Sequence, residues 1–435
     1  MRHMRVNAMF GMVLAGAAVL VAPLAAQQAG VAAVRQWRTQ HEPQVMRDLF
    51  DLLAVPNVAT NKTDIQRNAD TLAAMLRKRQ FTADVVPTSG SPMVLGERRV
   101  PGATRTVTFY FHYDGQPVDP KEWVYSPPFS PVFVTGPADK GGKVLTLEQA
   151  NGTYNPEWRI YGRSSSDDKS PIVAFLAAFD GLDAVGTAPT SNIRVILEGD
   201  EEAGSPSLEA AVMAHADRVR GDALILVDGP RHASGRATMN YGARGIMTAT
   251  VTIYGPNRDL HSGNYGNWAP DPAMQLAQLL ASMKDSKGRV TIAGYYDDVV
   301  PLGPDEKKAL DLIPDVEPTL MKTFGFSGPQ QADDRLEVKH NLPTLTVNGL
   351  ESGSVGGQGR TIVPATASAR LDMRMVQGNQ PDKQYERLLA HIRKQGYFLV
   401  DADPDAATRA AHPLLARVVR GGGYPAGRTS MSAPM

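Results

Sequence analysis

Apolar residues recur at helical spacing over Val31–Leu53, and again over Asp64–Arg79, where Ile65, Leu72, Met75 and Leu76 share one side; both segments are predicted to be surface helices. Three compact apolar runs, Val107–Phe111, Ile193–Leu197 and Ala223–Val227, have the pattern of buried strands. Each run ends at residues that carry chemistry: His112, the Glu198–Glu202 group and Asp228. In open α/β sheets ligands gather outside the carboxyl ends of the strands, so a site is expected where these runs end.

From Tyr241 the pattern changes. Ile246–Tyr254 alternates like a strand, Pro270–Met283 reads as an amphipathic helix, and Leu342–Val347 and Ala365–Met375 as further strands. A helix over Lys383–Gln395 and a strand over Tyr397–Val400 complete the set, and Gly294–Gln331 is expected to be a long loop with a short helix at Asp305–Leu312. Helices and strands mixed in this way predict an α+β unit, residues 239–402, inserted into an α/β unit formed by 31–238 and 403–435. The α/β unit is expected to have a mainly parallel sheet flanked by helices.

At the N-terminus Arg2, His3 and Arg5 precede an uncharged stretch, Val6–Ala26, that ends in Leu24-Ala25-Ala26 before Gln27. This is the pattern of an export signal over 1–26, cut near Ala26, and it predicts a periplasmic or extracellular protein; an uncleaved anchor is the alternative. No later segment could span a bilayer, so no membrane association is expected once the signal is removed. There is no cysteine, so the fold must rest on its core and on any metal it holds.

A chain of 435 residues exceeds what one core usually supports, in keeping with two units. Its 45 Lys and Arg balance 45 Asp and Glu, which leaves no net charge to attract nucleic acid. A small molecule or peptide is the better-fitting ligand.

Four clusters could do chemistry. In His112-Tyr113-Asp114 the imidazole could ligate a metal while Asp114, pointing the same way in an extended segment, fixes its tautomer. Taken alone, a hydrogen-bonded surface histidine explains the pair better. Asp167, in a polar loop before the apolar Ile172–Leu176, could face a site or merely cap a helix. Glu198, Asp200, Glu201 and Glu202 crowd carboxylates after a buried strand, and a cation would offset their repulsion. Two adjacent glutamates can divide the work, one as ligand and one as general base. Asp228 adds a carboxylate after the third run.

In order, these motifs are His-x-Asp-Gly-Gln-Pro from His112, Gly-Arg-x-x-x-Asp-Asp-Lys from Gly162, Glu-Gly-x-Glu-Glu-x-Gly-Ser from Glu198, Asp228, and Asp-Leu-His-Ser-Gly from Asp259. The series resembles the zinc peptidase family of carnosinases, aminoacylases, acetylornithine deacetylase and glutamate carboxypeptidases, from about residue 35 to the end of the chain. With Trp123 and Pro127-Pro128-Phe129, the His112–Pro117 segment is similar to the carnosinase branch. The resemblance implies a zinc-exopeptidase α/β catalytic domain interrupted by a lid, with pairing of two copies through that lid.

It also implies two Zn²⁺ per subunit, with Mn²⁺ or Co²⁺ able to replace them. His112 and Asp228 would hold one, Asp167 would bridge, Glu202 would hold the other, and Asp114 would orient His112. Glu201 would be the general base toward the attacking water, His261 an oxyanion donor on the lid, and Arg374 the residue that takes the substrate carboxylate. The substrate implied is a small peptide cleaved by a dipeptidase or other exopeptidase; the alternative is an N-acyl amino acid cleaved by an amidohydrolase. Ser164 and Ser170 stand where the family more often has glycine. Past Arg428–Met431 the family pattern expects a Gly-rich loop and a further histidine, whereas the last histidine here is His412. The second zinc is therefore expected to lack a histidine ligand in this chain, and an inactive truncated product is the remaining alternative.

Overall fold

The computed structural model describes residues 7–136, 140–229 and 231–433. By internal contact the chain divides at residue 230 into two units. The export signal expected over 1–26 lies outside the residues whose side chains are described. Among the described residues, no helix is long and apolar enough to cross a membrane.

The first unit opens with α1 (Asn7–Leu53), α2 (Lys62–Arg77), β1 (Thr82–Val86), β2 (Met93–Arg98) and β3 (Thr106–His112), and continues with α3 (Lys169–Ala184), β4 (Asn192–Glu198) and β5 (Ala223–Leu226). The strands form one sheet in the order β1-β2-β4-β3-β5. β3 runs parallel to both β4 and β5, whereas β1 and β2 are antiparallel additions at the far edge. Those two strands lack a sequence signal because Asp84, Gly96 and Glu97 interrupt their apolar pattern. Asn61 starts α2 by accepting the Asp64 N–H, and the helix buries Ile65, Leu72 and Leu76 in the core, as its spacing predicts.

α3 presents Ile172, Leu176 and Phe179 to the same core, where Phe81 meets Phe179 edge-on at 5.1 Å. Gly181 lets α1 approach closely, since a Cβ there would lie 2.9 Å from Val34 Cγ1. The first residue of α3, Lys169, is fully buried, and its ammonium donates to the carbonyls of Leu52 and Val55 at 2.8 Å each. It thereby satisfies acceptors at the C-terminal end of α1. Lys169→Met should take the ammonium from the Val55 carbonyl and leave the Leu52 carbonyl only its 3.3 Å bond from the Val55 N–H, lowering stability by about 1–3 kcal/mol, read from urea unfolding. An unchanged midpoint would show that water replaces the ammonium.

The second unit contains β6 (Gly245–Tyr254), α4 (Pro272–Ser282), β7 (Thr344–Glu351), β8 (Thr366–Met375), α5 (Pro381–Lys394), β9 (Phe398–Leu399) and β10 (Leu415–Tyr424). Its sheet has the order β7-β8-β6-β10-β9. Alternate residues of β8, from Ala367 to Met375, point into the core and are covered by Leu276 and Leu279 of α4 and Leu388 and Ile392 of α5. The expected loop over 294–331 holds the foreseen helix, at Pro304–Asp311, and a second at Glu317–Phe324.

The C-terminal part departs from expectation. Residues 403–433, assigned in the sequence to the α/β unit, belong by contact to the second unit, where β10 pairs with β6 from Tyr254↔Leu415 to Ile246↔Tyr424. Leu415 and Ala416 are buried there. The Gly421–Gly423 run hides the strand in the sequence, because glycines carry no hydrophobic alternation.

Candidate metal centre

β3 ends at His112, whose register partner across the parallel pairing is Glu198, the last residue of β4. β5, on the other side of β3, leads into Asp228. Parallel strands end on the same side of a sheet, which brings together residues far apart in sequence.

His112 is buried, with Nδ1 3.3 Å from Asp114 Oδ1 and Nε2 2.7 Å from Asp167 Oδ1 and 3.8 Å from Asp228 Oδ1. The fully buried Asp114 carboxylate also accepts the backbone N–H groups of Glu201, at 3.1 Å, and Glu202, at 3.0 Å. One carboxylate therefore ties the imidazole to the acidic turn at Glu201–Ala203. Ligand atoms of His112, Glu201 and Asp228 lie within 4.8 Å of one another. Glu202 turns elsewhere, its carboxylate accepting a hydrogen bond from Gln116 Nε2.

His261 and Arg374 belong to the second unit. His261 Nδ1 accepts the Gly263 N–H at 3.1 Å, so the neutral ring carries its proton on Nε2 as an outward donor. Arg374 uses Nε on Asp372 Oδ1 at 3.2 Å.

Burial by itself would depress His112, but the Asp114 carboxylate, helped by Asp167 and Asp168, outweighs it and holds the imidazole up at about 10. The acids around it are shifted upward as well. Burial lifts Asp168 to about 8 and Glu198 to about 7. Glu201 and Asp228 are raised as well, first by burial, and in each case neighbouring carboxylates add to the shift against the opposing pull of His112. Such crowding of acids is unfavourable unless positive charge joins them.

The donor set, one imidazole nitrogen with several carboxylate oxygens, fits divalent transition metals such as zinc. His112, Asp167, Asp228 and either glutamate of the Glu201–Glu202 pair could hold them.

Two further residues have no assigned role in the sequence reading. Asp168, almost fully buried, accepts the His112 N–H at 3.3 Å, and Glu198 accepts the Tyr110 hydroxyl beneath the acidic turn. The signal for both was present: each is an acid beside a motif residue, and burial alone separates them from the exposed Asp167.

Residues 108–410 match peptidase family M20/M25/M40. The chain is 27% identical over 308 residues to the Cys-Gly metallodipeptidase dug1 of Schizosaccharomyces pombe, an alignment that covers 70% of this chain and 60% of that protein. It is 27% identical over 355 residues to the human Beta-Ala-His dipeptidase, covering 79% and 63%. Against the crystal structure of an M20 family metallo-carboxypeptidase from Sulfolobus solfataricus the TM-score is 0.67 at 28% identity, over 89% of this chain and 80% of that one. The alignments thus span less than two thirds of either dipeptidase.

Proposed function

The chain belongs to peptidase family M20/M25/M40, and from that premise we propose that it hydrolyses the amide bond of dipeptides or similarly small peptides, with divalent cations held by His112, Asp167, Glu202 and Asp228. The observation that carries this reading is the convergence of His112 and Asp228 with Glu201, here assigned as the base, to within 4.8 Å at the ends of parallel strands; Glu202, whose carboxylate meets Gln116, is assigned as a ligand by the family resemblance.

Bound there, paired divalent cations would polarise a scissile carbonyl and acidify water. The protein's own part is positional and protonic. Asp114 accepts the hydrogen bond of His112 Nδ1–H and so keeps the proton on that nitrogen, which leaves Nε2 as a lone-pair donor. Glu201, whose backbone Asp114 holds, accepts the proton of the attacking water and returns it to the leaving amine. Burial raises the affinity of its carboxylate for that proton. His261, protonated on Nε2, suits donation to developing negative charge, and Arg374 suits a substrate carboxylate. The same reading includes export directed by residues 1–26, supported by the sequence pattern there, and pairing of two copies through the second unit, supported by the family resemblance alone.

The test is hydrolysis of Cys-Gly, β-Ala-His, simple dipeptides and N-acetylmethionine, with the protein stripped by chelator and reloaded with Zn²⁺, Mn²⁺ or Co²⁺. Dipeptide cleavage should vanish on stripping and return on reloading. Cleavage that survives exhaustive chelation would overturn the metal-dependent reading, and preference for N-acetylmethionine would transfer the activity to N-acyl amino acids.

A further inference from the structure

The segment that follows α1 fastens together a strand end and a loop that each carry a candidate cation ligand. Asn57, fully buried, donates from Nδ2 to the Tyr113 carbonyl at 2.7 Å and to Ser164 Oγ at 2.9 Å, while its own backbone carbonyl accepts the Gly115 N–H at 2.9 Å. Tyr113 stands between His112 and Asp114 and is itself fixed, its N–H on the Glu198 carbonyl at 2.8 Å and its hydroxyl on the Pro92 carbonyl. Ser164 opens the turn that leads to Asp167.

The loop from Ser164 to Lys169 is held at both ends by the same short segment. Ser164 hangs on Asn57, and the Lys169 ammonium on the Leu52 and Val55 carbonyls. The Lys169 N–H closes the loop on the Ser164 carbonyl at 3.3 Å. Asp167, exposed between these anchors, has Oδ1 2.7 Å from His112 Nε2. The joint has no slack, since a Cβ on Gly115 would lie 2.6 Å from Ser164 Oγ. Ser164 also adopts a φ of +59°, in the left-handed region that disfavours a serine, and its bond from Asn57 helps to offset that cost. Asn57 Oδ1, by contrast, is buried without a donor among the described residues, which is unfavourable. An apolar side chain would fill this space without that penalty; what the amide adds is the link between Tyr113 and Ser164.

We propose that Asn57 is a positioning residue: by joining Tyr113 to Ser164 it sets Asp167 against His112, and so governs how tightly the site holds divalent cations. Groups that orient metal ligands without touching the metal typically change affinity about 10- to 100-fold when lost. The inference rests on the cation-binding part of the function proposed above and not on which amide is cleaved.

The test compares the wild type with Asn57→Leu, which keeps the shape of the side chain and removes its donor, with Ser164→Ala, and with the double variant. Each full chain is stripped, titrated with Zn²⁺ against a chromogenic chelator, and loaded with Co²⁺ for its visible absorption; urea unfolding of the stripped proteins reads the fold separately. Asn57→Leu should weaken cation affinity about 10- to 100-fold and alter the Co²⁺ spectrum. Ser164→Ala should shift both in the same direction and by less, because the Tyr113 link remains, and the double variant should be no weaker than Asn57→Leu alone. A lowered urea midpoint with unchanged affinity and spectrum would make Asn57 a packing residue and overturn the proposal. Losses that multiply in the double variant would overturn it too, by showing that the two side chains act separately. If Asn57→Leu does not fold, Ser164→Ala decides alone: unchanged affinity and spectrum there would break the link to Asp167. A wild type that takes up no cation would sink this inference and the metal-dependent reading together, whereas cation affinity that depends on Asn57 in a protein that cleaves no dipeptide would sink the hydrolytic reading alone.

Discussion

Glu201→Gln is expected to lower turnover by about 10²- to 10⁴-fold while the protein still binds its cations. The substitution keeps the shape of the side chain and removes its ability to take a proton. Glu201 is suited to that task because burial and neighbouring acids raise its proton affinity, and because its backbone N–H is fixed to Asp114 at 3.1 Å. Elemental analysis beside steady-state rates separates the two roles open to it. Glu201 also stands within 4.8 Å of the ligand atoms of His112 and Asp228, where a direct ligand would stand. Loss of a cation together with turnover would make Glu201 a ligand and move the general base elsewhere.

The second large effect is expected at Asp114. Its carboxylate is fully buried and serves His112 Nδ1, Glu201 N and Glu202 N at once. Asn offers one acceptor oxygen and an amide that must face one of these donors with another N–H. Asp114→Asn should therefore weaken cation affinity about 10- to 100-fold, with a matching loss of activity at limiting metal. Competition with a chromogenic chelator measures the first quantity directly. Unchanged affinity with lost activity would confine Asp114 to holding the Glu201 turn, and no change in either would remove it from the site.

The two-unit organisation was readable because the texture of the chain changes near Tyr241, where long alternating strands replace short apolar runs. The parallel strands β3 and β4 were legible for the same reason that they matter: largely buried, they read as apolar runs that stop at His112 and Glu198, whereas β5, expected from its apolar run to be buried as well, leaves Leu224 and Leu226 exposed. Periodicity cannot say which carboxylate in an acidic run turns inward. Asp167 and Asp168 are neighbours with the same chemistry, yet one is exposed and the other buried behind His112. Glu201 and Glu202 differ only in what they meet, Asp228 and His112 for the first and Gln116 for the second. The membership of β10 in the second unit was hidden for another reason, since its pairing with β6 joins segments far apart in sequence and leaves no local trace.

The long separation of the site's parts bears on how the chain folds. Thr106 and Asn192, which begin the central parallel pairing, are 86 residues apart; His112 and Asp167 are separated by 55, and Asp114 and Glu201 by 87. Closing such loops costs entropy before any contact repays it, so parallel pairing of this range forms slowly and late. The cation ligands come within reach of one another only after the sheet has closed. A metal ion bound there would therefore stabilise a structure already made rather than nucleate it, and a chain without the β3–β4 pairing would present only scattered acids.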